Sequence, residues 1–516
     1  MYNRTASQHT AELPHTAKLG PVLLVCAFLA FGAVASWYAL PLANRFGPLI
    51  ASALILISPF FAWIAVSGLR IAVRKWSEMR SNLVWWHWLW FFVLASGFVL
   101  RVRDATSAKS DPADAAALFR VAVMGLVALI LATRLALRRP DWLRSMFSGN
   151  VGAMTAFAMA CAVSTIWSVN PPWTFYKSLE FLIDLALLAA ILAVVHSSED
   201  YETLFNWNWI LCGLLIASAW VGAVIWPKEA LEDGYSLGTL GVRLNGLFPG
   251  QGSNRLGDLG AILGVVCFSR IFPFGKRHYD RFWYVLVLLA CVATIVFAQT
   301  RTALAGLLLG MILVLVLTGR AGKMLLFGVT ALGAVVLSGA GKMMLNYLQR
   351  GQSQAEMVSL SDRLNWWTVA FDMLRQHPWT GLGAFAAGTF AVFEKLGLNN
   401  VGPLHSDYVE TLVGSSFWGF VPLVLAILGC WWVLGQSVRD PLLDEVDRQL
   451  SIEALAVLLI VTIRSIFMTF ITLHPPLNFL IVLGYAEFLR RRRHSMHASL
   501  RTRVALLPDA EPVSAR

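Results

Sequence analysis

Residues 282–318 read FWYVLVLLACVATIVFAQTRTALAGLLLGMILVLVLT, two apolar runs separated by the short polar turn Gln299-Thr300-Arg301. Each run is close to the roughly 20 residues that a helix needs to cross the hydrocarbon core of a bilayer. A turn this short sends the second run straight back across the membrane. The stretch therefore predicts a transmembrane helical hairpin with Arg301 at the level of the lipid headgroups.

Runs of this kind recur along the chain, which has 516 residues, 57% of them apolar and 14% charged. A closed β-barrel would show alternating segments of about ten residues instead, and the sequence lacks them. We therefore predict an all-α polytopic membrane protein with about 12–14 transmembrane helices. Besides 282–299 and 302–318, the predicted spans are 19–40, 47–68, 83–100, 116–137, 150–167, 178–196, 206–226, 255–273, 322–338, 413–435, 453–472 and 474–489.

Basic clusters follow the second, fourth, eighth and last of these spans. If the spans alternate in direction, all four clusters lie on one side, and the positive-inside rule places that side and both termini in the cytoplasm. The clusters also explain the net charge of +11, so this charge predicts no nucleic-acid partner. They are Arg70, Arg74, Lys75 and Arg80; Arg134, Arg138, Arg139 and Arg144; Arg270, Lys276, Arg277 and Arg281; and Arg490 to Arg493.

We divide the chain into an N-terminal membrane region of about four spans (1–149), a main membrane domain (150–490) and a basic cytoplasmic tail (491–516). The two longest segments of the outer face are 227–254 and 339–412, and long loops on a scaffold commonly carry function. All six cysteines fall inside predicted spans, which favours buried apolar thiols over disulfides or metal ligands.

The longer of these loops contains a predicted amphipathic helix. Ser361-Asp362 offer capping side chains, apolar residues then recur at helical spacing, and His377-Pro378 ends the pattern. Arg363 falls in the first turn, where a cation is unfavourable against the helix dipole.

Four residues, Arg243, Arg301, Arg363 and His405, concentrate positive charge on the outer face, where cationic side chains are normally scarce. The planar forks of several arginines suit the oxygens of a diphosphate and could neutralise it without a metal ion. The group therefore predicts a site for an anionic, lipid-borne substrate. Each residue also has a plainer interpretation, because surface arginines are usually solvated and a single interfacial histidine is commonly structural.

His405 can accept a proton near neutral pH, and Asp407 or Glu410 is close enough in sequence to orient it. Two further charges fall inside predicted spans, Asp184 in the sixth and Arg464 in the thirteenth. An isolated charge in lipid is costly, so we expect them to pair within the bundle or to contact the diphosphate; the alternative is that each faces a water-filled cavity.

Five motifs occur in order along the predicted outer face. They are R-L-x-G-x-F at 243–248 with Asn254 following, Q-T-R-T-A at 299–303, S-D-R-x-x-x-W at 361–367, H-P-x-x-G-x-G at 377–383 and H-S-x-Y-x-E at 405–410. In this order they resemble the O-antigen ligase and O-antigen polymerase superfamily, over about residues 150–485. Family members commonly have Asn where this chain has Ser406.

The resemblance implies a C-type glycosyltransferase architecture in the bacterial inner membrane. It implies transfer of a glycan from undecaprenyl diphosphate at the periplasmic face, with neither a metal nor a cofactor. Arg243, Arg301 and Arg363 would bind the diphosphate, and His405 would sit by the acceptor hydroxyl. Supporting candidates are Asn254, Asp407, Tyr408, Glu410, Asp184 and Arg464.

The acceptor stays open between a lipid A core, as in lipopolysaccharide ligation, and a growing polysaccharide, as in a polymerase. A protein acceptor is a weaker alternative. A transporter or flippase of lipid-linked glycans is the alternative from another class, since many spans with buried charges also suit a translocation pathway. Transporters often carry internal repeats, which this sequence does not show.

Overall fold

The computed structural model describes residues 80–98, 115–137, 141–233, 240–247, 249–277, 279–323, 362–398, 402–472 and 476–505, with scattered positions between 67 and 79 and between 326 and 349. The chain divides into two compact units, Met1–Leu83 and Val84–Arg516. The predicted spans at 19–40 and 47–68 lie outside the described residues, apart from positions 67 and 68, as does most of the one at 322–338.

The second unit is built of helices. The long ones are α1 (Trp85–Phe98), α2 (Ala115–Leu137), α3 (Gly149–Val163), α4 (Pro171–Leu192), α5 (Ser198–Ile225), α6 (Ser253–Ile271), α7 (Arg281–Phe297), α8 (Arg301–Leu317), α9 (Arg363–Gln376), α10 (Asp407–Arg439), α11 (Glu445–Phe467) and α12 (Leu477–Ala505). The hairpin predicted from residues 282–318 is α7 and α8. The described β-structure consists of two short antiparallel pairs, Leu231–Asp233 with Val242–Leu244 and Gly246–Leu247 with Gly250–Gln251.

Five helical segments are long and apolar enough to cross a membrane, among the residues described. They are Ala117–Leu137, Gly149–Trp167, Ser198–Ile225, Asp407–Arg439 and Glu445–Phe467, and α7 and α8 are shorter apolar helices. The chain is therefore an all-α, multi-pass membrane protein, which confirms the predicted fold class.

Local sequence explains where several helices begin. The Asn170 side chain accepts a hydrogen bond from the Trp173 amide at 3.2 Å, ahead of Pro171 at the start of α4. Ser197 and Asp200 form a capping box at the start of α5. Helix α9 begins differently, because Asp362 has a φ of 66° and its side chain makes no capping hydrogen bond. The capping bond predicted for Asp362 is therefore absent; Ser361, the other predicted capping residue, lies outside the described residues.

Helix α10 is kinked at Ser416, where φ is 56°. The kink leaves the carbonyls of Val413 and Gly414 to accept hydrogen bonds from the amides of Leu382 and Gly383, at 2.9 and 2.8 Å. A Cβ on Gly381 would come within 2.6 Å of the Gly414 oxygen, so only glycine fits there. The Gly381-Leu382-Gly383 turn therefore docks the long loop onto α10.

The helices run antiparallel and define two ends of the unit. One end, which we name the basic side, carries ion pairs of Arg277 with Glu202 at 2.8 Å and of Arg490 with Glu487 at 2.7 Å. Arg491 there donates to the Ser145 hydroxyl at 2.9 Å. The opposite end, which we name the loop side, carries the starts of α6, α8, α9 and α10 and the end of α11.

Candidate active site

Arg243 lies on the small hairpin of the loop side. It sits opposite Glu232 in the strand register, and its Nε donates to the Glu232 carboxylate at 3.0 Å. The Gln299 side-chain amide donates to the Val242 carbonyl at 2.8 Å. This bond ties the hairpin to the turn between α7 and α8, so Arg243 is held beside the turn that carries Arg301.

Arg363 and Arg301 begin α9 and α8 and lie close to Arg464. Arg363 Nη1 donates to the carbonyl of Phe467, the last residue of α11, at 2.7 Å. Burial, together with the nearby charges of Arg464 and Arg301, lowers the pKa of Arg363 to about 10. Three guanidinium groups therefore converge at this point of the loop side.

Arg464 is almost fully buried and forms an ion pair with Asp258 of α6. Its Nη2 donates to Asp258 Oδ2 at 3.2 Å, and its Nη1 contacts the Thr302 hydroxyl. The expectation that Arg464 pairs within the bundle is met by a residue that the sequence analysis did not select. Asp258 and its neighbour Arg255 could have been found as two charges three residues apart inside an apolar span.

Asp184 lies in a different cluster. It is buried near Arg120, Lys177 and Glu180, and neither of its carboxylate oxygens has a hydrogen-bond partner among the described residues. Glu180 takes the ion pairs here, with Arg120 of α2 and with Lys177 at 3.1 Å. The structure thus brings Arg464, but not Asp184, to the arginine group.

His405 occupies the turn before α10 in a left-handed conformation, with φ of 54°. Its Nδ1 lies 3.3 Å from Met468 Sδ, and its ring centroid is 5.8 Å from that of Trp366. Burial lowers the pKa of His405 to about 4, assisted by the charges of Arg363 and Arg464. The imidazole is therefore neutral at pH 7 and able to accept a proton.

The two carboxylates expected to orient His405 face backbone amides instead. Asp407 accepts from the amides of Phe470, Ile471 and Thr472 at 2.8 to 3.0 Å. Glu410 accepts from the Leu404 and Gly388 amides at 2.9 and 3.3 Å. They shape the loop around His405 because each satisfies amides that would otherwise be buried without partners.

The two remaining candidates are less engaged. Tyr408 is half-buried in the first turn of α10, and Asn254 is exposed in the first turn of α6. A different asparagine, Asn245, is hydrogen-bonded within the hairpin region. Its NH₂ group donates to the Glu232 carboxylate at 3.2 Å, and its side-chain oxygen accepts from the Ser253 backbone amide at 3.0 Å.

A cavity of about 150 Å³ opens directly beside His405. Arg255 and Asp258 of α6 line it, and Arg255 Nη1 is held by the Gly97 carbonyl of α1 at 3.0 Å. Its other lining residues come from α1, the end of α11 and the start of α12: Leu94, Gly97, Leu259, Pro403, Met468, Thr469, Phe470, Pro476, Leu477 and Asn478.

The family model described as O-antigen ligase matches residues 285–427. No curated protein matches the chain. The matched segment contains Arg301, Arg363 and His405, three of the four residues that the sequence analysis placed in one site. Over this segment the chain is similar to the O-antigen ligase family, which confirms the resemblance that its motifs indicated.

Proposed function

We propose that the protein transfers a glycan from undecaprenyl diphosphate to a sugar hydroxyl, at the periplasmic face of the bacterial inner membrane. The observation that carries this proposal is that Arg363 lies near both Arg301 and Arg464, and that Arg363 and Arg464 act on a neutral His405, at one end of the helices. The loop side would then face the periplasm, and a lipid-linked donor would reach the arginines from the headgroup level.

In this reaction the acceptor oxygen attacks the anomeric carbon of the donor sugar. The bond from that carbon to the diphosphate oxygen breaks, and the electron pair leaves with undecaprenyl diphosphate. Arg301 and Arg363 stabilise the negative charge that develops on this leaving group, as preorganised donors do in other transferases. The proton of the acceptor hydroxyl moves to the imidazole of His405.

Arg243 would act at the edge of this site. Its guanidinium already forms a surface ion pair with Glu232, and this carboxylate weakens the attraction of Arg243 for a diphosphate compared with that of Arg301 or Arg363. The hairpin is fastened to the Arg301 turn through Gln299. A donor that displaces Glu232 would bring Arg243 into the group.

Ligation to a lipid A core is the function we favour, because the matched family model is that of a ligase. Polymerisation of a polysaccharide uses the same donor chemistry and differs in the acceptor. Ligation and polymerisation are distinguished by incubating the purified protein and the lipid-linked donor with each acceptor type in a separate reaction. Product should accumulate with only one of the two acceptors.

Replacing arginine by lysine tests the diphosphate site. Lysine keeps the charge but loses the planar fork, so Arg301→Lys and Arg363→Lys should lower transfer by about tenfold or more. Arg375→Lys is the matched control, because Arg375 is exposed on the same helix as Arg363 and pairs with Asp372. Transfer rates are measured on purified proteins that insert and accumulate equally. Full activity in both site variants would rule out recognition of the leaving group by these forks.

A further inference from the structure

The cavity beside His405 contains polar groups that the diphosphate chemistry does not use. Thr469 is 7% exposed, and its hydroxyl has no hydrogen-bond partner among the described residues. The side-chain oxygen of Asn478 accepts a hydrogen bond from the side-chain NH₂ group of Asn208 at 2.9 Å. The NH₂ group of Asn478 makes no hydrogen bond to a described residue. Buried polar groups of this kind are normally satisfied, so an unfilled requirement points to a ligand.

We propose that this cavity is the subsite for the acceptor sugar, and that it takes a pyranose ring through its hydroxyl groups. The inference rests on the proposed function. A sugar hydroxyl both donates and accepts hydrogen bonds, and the cavity offers both kinds of partner. The Thr469 hydroxyl does both, the Asn478 NH₂ group donates, and the Asp258 carboxylate accepts.

The walls and the volume fit one sugar ring. Leu94, Leu259, Phe470 and Leu477 line the cavity and give apolar surface for the C–H faces of a pyranose. A water takes up about 30 Å³ in the liquid, so a cavity of about 150 Å³ has room for about five waters. A single ring displaces several of them, while a second ring would have to extend out of the cavity.

The position of the cavity relative to His405 fits an attacking hydroxyl. His405 itself lines the cavity, and Asp258 is fixed there by Arg464, whose charge also acts on His405. A ring held by Thr469 and Asn478 would therefore lie against the imidazole that takes its proton.

Most of the wall comes from outside the segment that matches the family, since only Pro403 and His405 of the lining residues fall within it, and part of it comes from the N-terminal region. Leu94 and Gly97 belong to α1, and the Gly97 carbonyl holds Arg255 in place. Helix α1 lies in the region before residue 150, whereas the match covers 285–427. Acceptor choice in this protein would therefore depend on its N-terminal region.

Ligand-detected NMR on the full-length protein in nanodiscs tests this assignment. The probes are methyl glucopyranoside, galactopyranoside and mannopyranoside for the cavity, and farnesyl diphosphate for the arginines. At least one pyranoside should show saturation transfer that falls about fivefold or more in Thr469→Val, the loss expected for one hydrogen bond. Thr469→Ser, which keeps the hydroxyl, should retain the signal.

The outcomes separate this inference from the proposed function. If no pyranoside signal depends on Thr469, or if Thr469→Ser loses the signal as Thr469→Val does, the subsite is wrong. Farnesyl diphosphate binding that weakens in Arg363→Lys would still support the donor site in that case. If the pyranoside signal depends on Thr469 but farnesyl diphosphate binding is unchanged in Arg363→Lys, the sugar subsite stands and the donor site fails.

Discussion

His405 shows how neighbouring charges decide the chemistry of a single residue. An unperturbed histidine has a pKa of about 6.5, which is the value that the sequence alone suggests. Burial and the charges of Arg363 and Arg464 lower the pKa of His405 to about 4. The free protein therefore holds a base that is always neutral at physiological pH and intrinsically weak. A bound diphosphate offsets the charges of these two arginines, so binding of the donor should raise the pKa of His405.

This coupling predicts different pH profiles for two kinetic constants. The value of kcat/KM reports the free protein and should stay level from pH 8 down to about 5, then fall as His405 becomes protonated near pH 4. The value of kcat reports the donor complex and should begin to fall at a higher pH. A decline of kcat/KM centred near 6.5, as the sequence suggests, would show that Arg363 and Arg464 do not act on His405 as the structure indicates.

Variants identify the titrating group. His405→Ala should lower kcat by about a hundredfold to ten-thousandfold and remove the acidic decline, while donor binding stays nearly intact. His377→Ala is the control, because His377 is exposed at the end of α9. If the acidic decline persists in His405→Ala, another group takes the proton.

Among the elements, the turn before α10 and the segment after α11 act as one unit. The Asp407 carboxylate, fully buried, accepts three backbone amides of residues 470–472 and the Thr472 hydroxyl. Met468, which contacts His405, and Phe467, which holds Arg363, lie just before these amides. One carboxylate therefore positions both His405, the proposed base, and Arg363, an arginine of the proposed leaving-group site.

Asp407→Asn tests this arrangement at the scale of the element. An asparagine keeps one acceptor oxygen but loses the charge, and a hydrogen bond to a charged group contributes about 1.5–3 kcal/mol. We expect a lower apparent melting temperature in detergent and a loss of transfer activity, because both Met468 and Phe467 are released. Asp372→Asn on the exposed face of α9 should change neither measurement. A stable but inactive Asp407→Asn protein would instead assign Asp407 a direct part in the reaction.

For the whole molecule, hydropathy predicted the helices well and the contacts between them poorly. The span at 282–299 is α7 at Arg281–Phe297, because the run carries no internal charge. The span at 178–196 is α4 at Pro171–Leu192, since hydropathy excluded Lys177, which is buried together with Glu180 and Arg120. Asp258 and Arg464 are 206 residues apart in sequence, so no local pattern could pair them.

Some predicted span ends differ from the observed helix ends for a similar reason, namely that buried charged residues find partners. Helix α10 begins at Asp407, not at residue 413, because Asp407 and Glu410 find backbone amides that make their burial favourable. The motifs predicted Arg301, Arg363 and His405 as one group; Arg363 lies near both Arg301 and His405, and the roles of the three residues stay predictions. They gave no indication of the cavity, which needs α1 and the start of α12 to close it.

The orientation of the molecule yields the final prediction. The structure gathers Arg270, Arg277 and Arg490 at the basic side, while His405 and Arg363 lie at the loop side. From the positive-inside rule we expect the basic side to face the cytoplasm. A phosphatase that is active only in the periplasm should therefore be active when fused after Leu398 and silent after Lys276 or Arg493. A galactosidase that is active only in the cytoplasm should give the reciprocal pattern.

Fusion after Ser197 serves as an independent control for this topology. Ser198 donates to Asp447 at 2.5 Å on the basic side, so the fusion after Ser197 should behave like the fusion after Lys276. Because the donor proposed here is consumed at the periplasmic face, the opposite pattern would place His405 where no such donor reaches it, and the enzymatic proposal would fail with the topology.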